Sequence, residues 1–169
     1  MITPFTAADE QRVRAPLGRV PCGVAGVAAR TASGDPLVVA TVPRLPDGTP
    51  FPTTYYLTHP DYVAEASRLE AAGVMAQMSA DLAEDEELQE AYGRAHRAYL
   101  ADRAQIGAAA GLDEVTEIED FSAGGMPTRI KCLHALVGHS LAAGPGVNPV
   151  GDRALAMMSD VPPAVGFHV

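Results

Sequence analysis

Lys131, Cys132 and His134 fall within four positions of one another, and His139 follows five residues later. The chain has one lysine, two cysteines and five histidines, so three scarce residue types meet in one short segment. Thiolate sulfur and imidazole nitrogen are ligands for zinc or iron. On a regular helix Cys132 and His139, seven apart, share a face, while His134 points nearly opposite Cys132. One regular helix therefore cannot bring all three to a single ion. A metal site here needs an irregular helix start or ligands from elsewhere in the chain. No Cys-x-x-Cys or His-x-x-x-His spacing supplies a complete local set.

The same region suggests two other chemistries. Gly124 and Gly125 precede a helical stretch, and Arg129 and Lys131 add positive charge to it. Backbone N–H groups at a helix start, with cations beside them, suit a small anionic ligand such as a phosphate or carboxylate. "GGMPTRIK" lacks the Gly-Lys-Ser/Thr ending of a Walker loop. A cysteine near a helix start beside a lysine is also a candidate nucleophile, with His59 or His139 as its base. Against these readings stands packing alone, with Cys132 buried, the histidines hydrogen-bonded and the glycines a hinge.

The elements that must position these residues follow from local pattern. Thr6 and Asp9 read as the start of a short helix over 6–14, ended by Pro16 and Gly18. Apolar runs at 23–30 and 36–43, joined by "TASGD", read as a hairpin, and "TTYYL" at 53–57 reads as a third strand. Pro60 opens a helix with Tyr62, Ala66 and Leu69 on one face, and Gly73 breaks it. Val74, Met78 and Leu82 continue a helical stripe. The clearest helix carries Leu88, Tyr92, Ala95 and Tyr99 on its apolar face. A long connection over 108–127 leads to a helix starting at Pro127, "TRIKCLHALVGHSLAA", stopped by Gly144. A Gly/Pro loop and a short helix, "DRALAMM", precede a loosely ordered tail containing His168. The expected fold is a single α+β domain over 1–169, with its core over about 14–158. A small N-terminal antiparallel sheet of about three strands packs with four to six helices.

Charge and composition narrow the class. A net charge of −9 argues against an extended nucleic-acid surface. No run reaches the ~18 apolar residues of a membrane span, and the N-terminus lacks a signal-peptide core. The expectation is a cytoplasmic protein with reduced thiols. Eleven arginines to one lysine reflect base composition and by themselves give Lys131 no role.

Several blocks occur together in order: "PRLPDGTPFPTTYYLTHP", "SRLEAAGVM", "AHRAYLADR", "SAGGMPTRIKCLHALVGHSLAAGPGVNP" and "VGD". Over residues 14–158 the chain resembles the bacterial domain-of-unknown-function family numbered 501, in its actinobacterial form. Relatives carry a cysteine at the position of Thr31, or one at that of His59. The resemblance thus implies a metal site built from the hairpin, the strand end and the late helix. In this chain His59, Cys132, and His134 or His139 would hold zinc or iron, and Thr31 replaces one ligand. The family's genes tend to lie near those for enolase, a septum initiator and an exopolyphosphatase. That setting implies the competing class, a non-enzymatic interaction or scaffold protein, oligomeric or not, linked to cell division or phosphate metabolism.

Overall fold

The hairpin reading rests on two apolar runs, and both are strands in the computed structural model, which describes residues 2–167. Strands β1 (Val24–Arg30), β2 (Pro36–Thr41) and β3 (Tyr55–Leu57) form one antiparallel sheet in the order β1–β2–β3. Val27 pairs with Val39, and Val38 with Leu57. All six residues of β2 are buried, because this central strand has neighbours on both edges and is covered on its faces.

Six helices accompany the sheet among the described residues: α1 (Ala7–Leu17), α2 (Pro60–Ala71), α3 (Val74–Glu84), α4 (Glu86–Ala109), α5 (Leu133–Ala143) and α6 (Pro149–Ala156). The arrangement is α+β, as the sequence pattern implies. Thr6 and Asp9 form a reciprocal capping box that starts α1. Gly73 adopts a left-handed conformation (φ +78°) and separates α2 from α3. Asp85 caps α4 through the Leu88 amide, and Asn148 caps α6 through the Gly151 amide.

α5 packs across the sheet, touching all three strands, and also meets α2 and α6. Gly138 faces β3, where a Cβ would stand in ordinary contact 3.4 Å from the Tyr55 carbonyl, and Gly151 permits the close approach of α6, because a Cβ there would collide with the Leu136 carbonyl of α5. On the predicted apolar face of α4, Tyr92, Ala95 and Tyr99 are buried and Leu88 is half-buried, and the phenols tie loops to the core. Tyr92 donates to the Arg129 carbonyl at 2.9 Å, and Tyr99 accepts from the Thr54 amide at 2.6 Å.

Several boundaries differ from the sequence reading, and α6 begins at Pro149 rather than Asp152. α1 continues through Pro16 to Leu17. α5 begins at Leu133 rather than Pro127, because the Arg129 and Lys131 amides bond back to the Gly125 and Gly124 carbonyls and hold 124–131 as a turn and an extended segment. The tail is docked as far as Phe167. Tyr62 donates to the Pro162 carbonyl, the Ala32 amide to Pro163, and the Val165 amide to Arg30. His168 lies outside the described residues.

Candidate functional site

Cys132 is the residue on which α5 starts. Its backbone is extended (φ −153°, ψ 108°), and the helix proper begins one residue later. This is the irregular start that a regular-helix reading lacks, and it removes the geometric bar between Cys132 and His134. The Cys132 sulfur, a ring nitrogen of His134 and a carboxylate oxygen of Glu70 lie within 4.8 Å of one another, all three residues half-buried.

Glu70 belongs to the last turn of α2, where a carboxylate faces the unfavourable end of the helix dipole. Packing of α2 against α5 resolves this. The Leu133 amide, at the positive start of α5, donates to Glu70 Oε1 at 2.7 Å. The anion at this helix start is therefore the protein's own.

A chain of hydrogen bonds fixes the proton on His134. Ser67 Oγ donates to the Val63 carbonyl at 2.8 Å, so it faces His134 Nε2 as an acceptor, and Nε2 carries hydrogen. His134 Nδ1 then faces Glu70 Oε1 at 3.1 Å. A bare nitrogen lone pair cannot face a carboxylate at that distance, so Nδ1 carries a proton that it donates to Glu70. The neighbouring Cys132 and the Glu70 carboxylate push the imidazole up to about 9, against the opposing effect of burial. His134 in turn draws the Cys132 thiol below its ordinary value, although burial works the other way.

The other sequence candidates sit elsewhere. His59 stands at the N-cap position at the far end of α2, without a side-chain cap bond, eleven residues from Glu70, or roughly 16 Å along the helix axis. Its ring packs edge-on against Tyr62, and burial lowers its basicity. Thr31 closes the β1–β2 turn, accepting from the Asp35 amide at 2.9 Å. Thr31 shares the His59 end of the sheet, where Thr58 donates to the Leu37 carbonyl.

His139 is in the core. Asn148 Oδ1 accepts from Gly151, which turns the Asn148 amide nitrogen toward His139 Nδ1 at 3.2 Å. Nδ1 is thereby an acceptor and Nε2 bears the hydrogen. The ring stacks on Tyr55 and meets Tyr99 edge-on at 5.1 Å. Cys132, His134, His59 and His139 thus do not converge. Only the first two meet, and Glu70 joins them.

Around Gly124 and Gly125, the amides of Met126, Arg129 and Lys131 all have backbone acceptors. Both glycines have positive φ, and a Cβ at Gly125 would lie 2.5 Å from the Arg129 carbonyl. Their structural need is a tight turn. The Arg129 and Lys131 side chains are exposed beside it. Glu70 escaped sequence reading because its partners lie more than sixty residues away. Its one local signal was a carboxylate at the wrong end of a helix.

These features define a small α+β protein with a thiol–imidazole–carboxylate cluster where the end of one helix meets the start of another. The family model described as protein of unknown function (DUF501) matches residues 27–156, and the chain belongs to that family. Neither the curated proteins nor the solved structures compared with it gave a match. No helix among the described residues is long and apolar enough to cross a membrane.

Proposed function

We propose that the protein binds a divalent transition metal, zinc in the first instance, through Glu70, Cys132 and His134. The observation that carries this reading is the fixed His134 ring: Nε2–H is held by Ser67, and Nδ1 faces a carboxylate. Metal-binding histidines commonly have one nitrogen oriented by an outer hydrogen bond and the other directed at the ion. A metal ion replaces the proton between Nδ1 and Glu70 and takes the Cys132 thiolate as its third ligand. Tetrahedral zinc holds such donors roughly 3.3–3.8 Å apart; Nδ1 and Oε1, at 3.1 Å, would open slightly around the ion, and all three donor atoms already lie within 4.8 Å of one another. Three protein ligands leave a fourth position for water or a small anion.

The test is metal analysis of untagged protein after zinc loading and desalting, together with cobalt substitution. Near one equivalent is expected, with a sulfur-to-cobalt charge-transfer band that disappears in Cys132→Ala. Less than about a tenth of an equivalent in wild type, while Cys132→Ala folds normally, would sink the reading.

A further inference from the structure

A groove of about 850 Å³ lies at the opposite end of α5 from the cluster, between β1, α4 and the Ala142–Ala143 end of α5. Ten residues of helix, or roughly 15 Å, separate Ala142 from Cys132. The volume is within the range of small-molecule sites. Val24, Ala28, Ala98, Ile106 and Ala142 contribute apolar wall, and polar atoms make up nearly half of the lining.

One lining side chain carries charge. It is Asp102, and Tyr55 donates to its Oδ2 at 2.9 Å. The Tyr55 phenol is buried and stays protonated, so it orients the carboxylate without neutralising it. Among the described residues no cation lies within ion-pair distance of Asp102. A ligand that fills the groove covers part of this half-buried carboxylate and displaces water from it. A neutral ligand would leave the charge unpaired, and an anion would be repelled.

From this arrangement we infer that the groove binds a small amphipathic amine, its ammonium on Asp102 beside Tyr55 and Gln105 and its apolar body against the alanine and valine walls. The protein's net charge of −9 also favours a cation. The inference is independent of the metal cluster.

The experiment is an amide-shift NMR titration of the full chain with hexylammonium, hexanol and hexanoate. Hexylammonium should saturate, binding at least about tenfold more tightly than hexanol, and hexanoate should not bind. Asp102→Asn should weaken hexylammonium at least about tenfold. Ala142→Leu, which fills the groove but keeps the carboxylate, should abolish binding, so a folding defect in one variant does not decide the matter. Cys132→Ala should bind as wild type does, which separates failure here from failure of the metal reading. Three results would overturn the inference: no saturation by about 10 mM, equal binding of hexanoate, or hexylammonium binding that survives both groove variants. A dimer in sedimentation that Ala142→Leu splits would also overturn it, assigning the groove to a second copy of the chain.

Discussion

Acidification should destabilise this protein through His139, a residue that does not belong to the metal cluster. His139 is fully buried, and burial pushes its ring down from 6.5 to about 4. The unfolded chain takes up a proton near pH 6.5, whereas the folded chain resists until about pH 4. Stability from the neutral ring is therefore complete above about 6.5 and lost as the pH falls through that window. The gap of about 2.5 between the two values, at about 1.4 kcal/mol per pH unit, sets a ceiling of about 3.5 kcal/mol. Between about pH 7 and pH 4.5 the loss should be about 2–3 kcal/mol. Burial also depresses His59 and His96, which act in the same direction. The contribution of His139 is isolated by urea unfolding of wild type and His139→Phe at both pH values. The wild type should lose more stability than the variant by that amount, and the His139 ring proton should stay unshifted in NMR above about pH 5. A folded-state titration near 6.5, or equal pH slopes in the two proteins, would refute the reasoning.

Three further outcomes follow from the packing and the polar contacts. Gly151→Ala places a methyl group against the Leu136 carbonyl and Ser140 Oγ, where α6 crosses α5; urea unfolding should show a loss of about 1–3 kcal/mol or more, and an unchanged midpoint would contradict the close approach. Arg103 is buried, donates to the Ile118 and Pro52 carbonyls and to Thr54 Oγ1, and lies over the Tyr99 ring. Arg103→Met should cost about 2–3 kcal/mol and speed amide exchange around Ile118. Glu70→Gln keeps an acceptor for the Leu133 amide, so it should cost only about 1 kcal/mol of stability. It should nonetheless weaken zinc binding about tenfold or more in a chelator competition, and unchanged affinity would remove Glu70 from the ligand set.

What the sequence determined alone was whatever depends on neighbours along the chain. The apolar run Leu37–Val39 marked a strand of the hairpin, and Tyr92 and Tyr99, seven apart, marked the buried face of α4. Gly73 and Gly144 marked helix ends because only the backbone at each position matters there. The concentration of Lys131, Cys132 and His134 was equally visible, as was the impossibility of joining Cys132, His134 and His139 on a regular helix. The start of α5 was not legible. It depends on amides of Arg129 and Lys131 returning to Gly125 and Gly124, a turn in which Ile130 is buried.

His59 and His139 looked like equal partners for Cys132 because composition records type and not place. Packing separated them: one stands at the far end of α2, and the other fills the space between Tyr55, Tyr99 and Asn148. Only the tertiary structure decided that Glu70 stands beside Cys132 and His134. The physical reason is that two helix ends of opposite polarity meet where α2 packs on α5, and a carboxylate poorly placed on its own helix is stabilised by the amide at the start of the other.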